Sequence, residues 1–131
     1  MTSNDTMLTL IRDADRIWRH CTQSRTDLEA MAAILFNQTH PDEWCSGVIR
    51  LNHAQDAART AANAWTAHAL TMYRALSARP AGDTCDLRDM AAQIGIDAIA
   101  WVTDPYALRH LPSESIKGVI DDLNERVRAC R

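Results

Sequence analysis

Long apolar runs and clusters of glycine are both missing from this sequence. No stretch approaches the ~20 apolar residues that cross a bilayer, so we expect no transmembrane helix and no membrane partner. The first ten residues lack the basic start and the apolar centre of a signal peptide, which predicts a cytoplasmic protein. All four glycines are isolated, and this argues against a glycine-rich phosphate-binding loop.

Closely spaced cysteine pairs are also absent. In a chain predicted to be cytoplasmic, cysteines without a C-x-x-C pair are typical of small buried hydrophobes rather than of disulfides or zinc ligands. The four cysteines interpreted in this way are Cys21, Cys45, Cys85 and Cys130. The five histidines are dispersed, and we therefore predict no metal site and no cofactor.

The spacing of the glutamates excludes two classes of helical enzyme. A di-iron bundle needs E-x-x-H motifs, and helical nucleotide pyrophosphohydrolases need E-x-x-E pairs for magnesium. None of the four glutamates has a histidine or a glutamate three residues later; they are Glu29, Glu43, Glu114 and Glu125. With no serine in a nucleophile elbow either, we predict that the protein is not an enzyme.

Residues 46–79 predict a single long helix, because after the opening Ser46-Gly47 the segment has no proline and no further glycine. Its apolar residues recur at spacings of three, four or seven, which is the period of a helix and not of a strand. They are Val48, Leu51, Ala58, Ala62, Trp65, Ala69, Met72 and Leu76. The face opposite this stripe is predicted to be polar, and it includes Asn52, Asp56, Arg59, Asn63, Thr66 and Arg74. At 1.5 Å per residue the helix would be roughly 50 Å long, which suits contact with something larger.

Four further segments have the same helical period, namely residues 7–23, 28–36, 87–101 and 116–130. A capping box, Thr26-Asp27-Leu28-Glu29, predicts a new helix start after residue 26. Pro41 either begins the long helix early or belongs to a separate turn, and Pro80 with Gly82 predicts its end. We therefore predict an all-α fold. It is a single domain over residues 1–131, with about five helices around one long central helix, about 46–79.

The spacing of Ala91 and Gly95 matches a helix-turn-helix, but we reject that interpretation. The residues that would form its recognition helix, 98–102, are all apolar and include no side chain that could read a base edge.

Arginine supplies 13 of the 14 basic residues, although the net charge is −3. In the first predicted helix, Arg12, Arg16 and Arg19 fall at i, i+4 and i+7, a row that could meet successive phosphates of a nucleic-acid strand. The alternative is a solvated helix face whose arginines pair with Asp13 and Asp15. We favour the alternative, because an acidic domain is a poor stand-alone binder of nucleic acid.

A small, arginine-using helical bundle built on one long helix resembles the small subunit of CRISPR effector complexes. The resemblance covers the whole chain and depends on residues 7–23, 28–36 and 46–79. It implies a non-catalytic subunit in antiviral defence, which bridges the backbone proteins that hold the guide RNA and touches guide or target strands. The implied partners are other protein subunits, an RNA or DNA backbone, and further copies along the assembly. The candidate nucleic-acid-binding residues are Arg12, Arg16, Arg19, Arg59 and Arg74.

A second hypothesis is a free-standing protein-binding regulator or inhibitor of the phage anti-defence or antitoxin-like type. The acidic C-terminal part, residues 81–131, favours it, because an acidic surface can cover a basic surface of a partner. We expect a complex subunit to co-purify with several proteins and RNA. A regulator should be stable alone and bind one target.

Overall fold

The structure, a computed structural model, describes residues 3–38, 40–79, 87, 91–104 and 114–130. The described part of the chain forms four α-helices and no strand, which confirms the predicted all-α class. The helices are α1 (Asn4–Phe36), α2 (Pro41–Ser77), α3 (Ala91–Thr103) and α4 (Glu114–Ala129). Four helices stand where about five were predicted, because the first two predicted segments form one helix.

Helix α1 runs through residue 26 without interruption, so the predicted new start after the capping box is wrong. Thr26 Oγ1 donates a hydrogen bond to the backbone oxygen of Thr22, 3.1 Å away, and so bonds within the helix instead of capping a new one. Cys21 and Ser24 are buried just before this point, and Leu28 packs against the core just after it. Packing on both sides therefore keeps the chain helical where the local motif predicts a break.

Helix α2 begins at Pro41, before the predicted start at Ser46, and Gly47 does not interrupt it. Proline suits the first turn of a helix because the backbone N–H that it lacks has no partner there. The 37 residues of α2 extend about 55 Å, and the 33 residues of α1 extend about 50 Å. The fold is thus built on a pair of long helices rather than on one. Residues 80–83, where the sequence predicts the break, lie outside the described residues.

The four helices form an antiparallel bundle in the ring order α1, α2, α3, α4. Helices α1 and α2 run in opposite directions, since Cys21 Sγ donates to Ala61 O at 3.2 Å and His68 Nε2 donates to Leu10 O at 2.7 Å. Helix α4 is antiparallel to α1, because Lys117 contacts Asp15 and the C-terminal Cys130 O accepts a hydrogen bond from Asn4.

The core fills the part of the bundle that all four helices share. The described residues of the predicted segments 7–23, 87–101 and 116–130 contribute buried side chains to it together with α2, whereas no residue of the predicted segment 28–36 is buried. The largest fully buried side chains include Met7, Trp65, Met72, Leu76, Ile94, Ile120, Leu123 and Val127. The predicted stripe of α2 is therefore confirmed from Ala58 to Leu76. Towards the N-terminus of α2 the same stripe is less covered, since Val48 and Leu51 are only half-buried.

Two tryptophan side chains join α2 to α3. Trp65 Nε1 donates to Asp97 Oδ2 at 2.8 Å, and Trp101 Nε1 donates to Asn63 Oδ1 at 2.7 Å. Thr66 was predicted on the polar face of the long helix, but it is buried with 8% of its surface exposed. The prediction for Thr66 is wrong because α3 packs on a face that the sequence pattern of α2 marks as polar.

Gly95 lies inside α3, so the chain does not turn there as a helix-turn-helix requires. A Cβ atom added at this position would lie 3.0 Å from Cδ2 of the Tyr73 ring. The absence of a side chain at Gly95 therefore allows α3 to approach α2 closely.

Candidate interaction surfaces

The two long helices extend beyond the shared bundle as a helical hairpin. Near its C-terminal end, α3 packs Trp101 against Leu28 of α1 and Ala58 of α2. Near its N-terminal end, α4 contacts Asp15 of α1 through Lys117. Of the described residues from 29 to 57, only Gly47 is buried. We call the described residues from 25 to 57 the distal hairpin. Its two helices pack on each other, whereas the same two helices are covered by α3 and α4 in the bundle.

An apolar strip runs along each helix of the distal hairpin on the side of Trp101. On α1 it consists of Leu28, Ala32 and Phe36, spaced by four residues. On α2 it consists of Trp44, Val48 and Leu51, and it leads on to Ala58 and Ala62, which pack against Trp101. We call the six residues Leu28, Ala32, Phe36, Trp44, Val48 and Leu51 the front face.

The exposure of the front face increases towards the tip of the hairpin. Phe36 is 90% exposed and Trp44 is 50% exposed, while the other four front-face residues are half-buried. Ile34 and Ile49 beside them are also exposed. Large aromatic side chains supply much of the energy of protein interfaces, so this end of the molecule can contribute substantial apolar area to a complex.

The distal hairpin is acidic as well as apolar. Residues 26–49 include four carboxylates and no lysine or arginine. The four carboxylates, all on exposed residues, are Asp27, Glu29, Asp42 and Glu43. Asp27 accepts a hydrogen bond from Gln23 at 2.9 Å, and none of the four forms an ion pair with any residue that the structure describes.

The back of the distal hairpin has an open groove of about 340 Å³ between α1 and α2. Met31, Ala54 and Ala57 supply its apolar lining, and Asp27, Arg50 and His53 border it. The mixture of one carboxylate, one guanidinium and one imidazole selects no single charge in a ligand.

A second exposed apolar surface lies on the outer side of α3. Ile96, Ile99 and Val102 follow each other at intervals of three residues, and all three are exposed. This strip faces away from α2, because Ile94, Gly95, Ala98 and Trp101 are the described buried residues of the same helix.

The predicted arginine row lies on the outer surface of α1. Arg16 Nη2 is 3.9 Å from Asp13 Oδ1, and Arg19 Nε donates to Asp15 Oδ2 at 2.8 Å. The side chains of Arg16 and Arg19 are 72% and 65% exposed. The pairing with Asp13 and Asp15, which the sequence offered as the alternative to nucleic-acid contact, is therefore confirmed.

Arg12, the first residue of the row, borders a groove of about 220 Å³ between α1 and α4. The groove also includes Lys117 and Arg128, and these bases are balanced by Asp15 and Asp121. Alternating charges of this kind weaken the attraction for a phosphate chain.

Asp15 is the centre of this charge cluster. Its Oδ1 accepts a hydrogen bond from Lys117 Nζ at 2.5 Å, and Lys117 Nζ also donates to Asp121 Oδ1 at 2.8 Å. Burial acts to raise the pKa of Asp15, but the hydrogen bonds and charges of Lys117 and Arg19 outweigh burial and lower that pKa. Hydrogen bonds to Asp121 and Asp15 raise the pKa of Lys117. The only lysine of the chain therefore acts as a link between α1 and α4.

The other two predicted arginines do not form a common site. Arg59 Nη1 is 3.5 Å from Asp56 Oδ1, and Arg74 is exposed in the last turn of α2. They are 15 residues apart, which corresponds to roughly 22 Å along the helix. The five arginines are thus distributed over two helices.

The cysteines do not share one environment, contrary to the prediction. Cys21 is buried, and burial raises the pKa of its thiol to about 12. Cys45 is free and exposed, and Cys130 is disulfide-bonded, so the prediction is wrong for both of them. Cys85 lies outside the described residues. The exposed Cys45 follows Trp44 at the tip of the hairpin, where neither α3 nor α4 covers α2.

Among the described residues, no group of three or more histidine, cysteine, aspartate or glutamate side chains is arranged to hold a metal ion. No helix of that part of the chain combines the length and the hydropathy that a membrane span requires.

Comparison of the chain with protein-family models, with curated proteins and with solved structures found no match. The assignment of the interaction surfaces is therefore supported by the geometry of this chain alone. Sequence reasoning missed the front face, although one signal was present, namely the run from residue 26 to residue 49 that has four carboxylates and no lysine or arginine.

Proposed function

We propose that this protein is a non-catalytic helical subunit of a larger assembly and that it binds other proteins through the distal hairpin. The observation that carries the proposal is the exposure of Phe36 and Trp44 at the end of a hairpin that α3 and α4 leave uncovered. Burying apolar surface in a partner contributes about 25 cal/mol per Å². A partner would therefore gain affinity by binding at the distal hairpin, where the protein itself buries the least apolar surface.

More specifically, we propose that the larger assembly is a cytoplasmic nucleoprotein complex. It would be similar to the CRISPR effector complexes whose small subunit this chain resembles. The distal hairpin then contacts the neighbouring protein subunits, and Arg12, Arg16 and Arg19 contact a guide or target strand. The exposure of this row on the outer surface of α1 supports the second contact. A strand must compete with Asp13 and Asp15 for the arginines, so we expect the nucleic-acid contact to be secondary to the protein contact.

The alternative is a free-standing regulator or inhibitor that covers a basic surface of one target. The four carboxylates of residues 26–49, which form no ion pair with any residue that the structure describes, favour it, because they place an acidic surface close to exposed aromatic residues. The two functions use the same end of the molecule and differ in the number of partners.

The mass of the native particle tests the proposal. The tagged protein is purified from its own cells and measured by size-exclusion chromatography with light scattering, with and without nuclease. We expect a particle much larger than the 14.6 kDa chain, with several proteins in fixed ratios. Loss of mass with nuclease supports the nucleoprotein form. A 14.6 kDa monomer, or a complex with one protein, contradicts the subunit and supports the regulator.

A further inference from the structure

The front face is continuous with the surface of α1 and α2 that α3 covers within the bundle. Helix α3 packs its Trp101 against Ala58, Ala62 and Leu28 and ends at Thr103. Beyond that point the strips ending at Phe36 and Trp44 remain uncovered by the described residues. We propose that the front face binds a basic amphipathic helix of another protein, which occupies the position that α3 occupies in the bundle. The inference rests on the proposed function and names the kind of partner.

The dimensions of the front face fit a single helix. The strip from Leu28 to Phe36 extends about 12 Å along α1, and the strip from Trp44 to Leu51 extends about 10 Å along α2. A partner helix of two to three turns covers both strips. Its apolar side chains would pack between the two strips, as Trp101 of α3 does at the end nearest the bundle, beside Leu28.

The charges near the front face determine which charge a partner helix should carry. Glu29 is three residues from Ala32 and so lies on the same side of α1 as the front face. Asp42 and Glu43 lie in the first turn of α2, at the end of the strip that begins with Trp44. All three are exposed and have no ion-pair partner among the described residues. Lysine or arginine on the rim of the partner helix would complement them. A second copy of this chain would instead bring the same carboxylates towards each other, which costs free energy.

A synthetic peptide tests the inference with the full-length protein. The probe is a fluorescein-labelled amphipathic peptide of leucine and lysine, about 18 residues long, because isolated helices shorter than ~15 residues are marginal in water. Two control peptides are a leucine and glutamate peptide of the same spacing and a leucine and lysine peptide in scrambled order. Binding is measured by fluorescence anisotropy at several salt concentrations.

The variants locate the binding site on the protein. We expect Trp44→Ala and Phe36→Ala each to weaken binding about tenfold, the effect of losing ~1.4 kcal/mol at an aromatic contact. Ile99→Ala, which removes an exposed apolar side chain from α3, is the matched control and should leave binding unchanged. Glu29→Gln should reduce the salt dependence of binding, whereas Glu125→Gln on α4 should not.

The inference is overturned if the basic peptide does not bind, and also by any of three further results. The first is equal binding of the leucine and glutamate peptide or of the scrambled peptide. The second is an equal loss of affinity in Ile99→Ala and Trp44→Ala. The third is a dimer in sedimentation equilibrium that Trp44→Ala dissociates, since it would assign the front face to a second copy. If the native particle remains large while the basic peptide does not bind, the inference fails and the proposed function stands.

Discussion

Trp65 Nε1 donates a hydrogen bond to Oδ2 of Asp97, 2.8 Å away, and this bond joins α2 to α3 just below the distal hairpin. Trp65 has only 1% of its surface exposed, so its indole N–H has no access to bulk water. The bond therefore supports the end of the bundle from which the two long helices extend.

We expect Asp97→Ala to lower the free energy of unfolding by about 1 to 3 kcal/mol, because it leaves the buried indole donor of Trp65 without an acceptor. Asp97→Asn retains an acceptor oxygen and should cost less. Urea unfolding followed by circular dichroism measures both values. Equal losses in the two variants would show that the carboxylate charge, and not the hydrogen bond, stabilises this contact.

The lowered pKa of Asp15 predicts how stability depends on pH. A carboxylate whose pKa is lower in the folded state binds fewer protons there, so its contribution is fully present above its ordinary pKa of 3.8. The contribution is lost as the pH falls below 3.8 through the lower pKa of the folded state. We expect Asp15→Asn to reduce stability by about 1 kcal/mol at pH 7, a value that allows for partial exposure.

The matched control for Asp15 is Asp121→Asn, which removes the more exposed of the two acceptors of Lys117. The free energy of unfolding is measured from pH 2 to pH 7 for the wild type and both variants. The wild type should lose more stability than Asp15→Asn between pH 4 and pH 2. Parallel curves for these two proteins would contradict a link between α1 and α4 through ionised Asp15.

The free cysteines should differ strongly in reactivity. Raising the pKa of Cys21 from 9.0 to about 12 lowers its thiolate fraction about a thousandfold at a given pH, and burial also blocks access. We expect iodoacetamide at pH 8 to modify Cys45 in the folded protein and to leave Cys21 unmodified. Peptide mass spectrometry measures both sites, and unfolding in urea provides the positive control for Cys21. Similar rates at the two sites in the folded protein would contradict the burial of Cys21.

The proposed strand contact predicts that charge reversal in the arginine row weakens nucleic-acid binding. Arg16→Glu should reduce the affinity of the native particle for its target strand and make the salt dependence shallower by about one unit of log K against log [salt]. Arg126→Glu on α4, which also removes an arginine paired with an aspartate on its own helix and lies outside the distal hairpin, is the control. Equal affinity of wild type and Arg16→Glu at every salt concentration would restrict the protein to protein contacts.

The sequence predicted the part of the fold that depends on helical period. The buried stripe of α2 at Trp65, Ala69, Met72 and Leu76 is confirmed, because only a helix brings residues at these spacings to one face. The boundary at residue 26 was wrong, since a capping box is a local signal and packing around Cys21 and Leu28 overrides it.

The interaction surfaces were less predictable. The sequence predicts the buried stripe of α3 at Ile94, Ala98 and Trp101, but it does not single out the exposed strip on the outer side of the helix, because that side is apolar too. The exposure of Phe36 and Trp44 depends on where α3 and α4 end relative to the long helices, and periodicity does not determine those relative positions. The pairing of Arg19 with Asp15, by contrast, is visible as an i, i+4 spacing.

Amide hydrogen exchange tests the central claim most directly, by comparing the isolated protein with the same protein in its native particle. In the isolated protein, residues 29–57 should exchange faster than residues 61–76, because the distal hairpin lacks the cover of α3 and α4. In the particle, we expect protection to rise around Phe36 and Trp44 and to change little around Asn124 on α4. Unchanged protection at the distal hairpin in a particle that retains its partners would contradict the account.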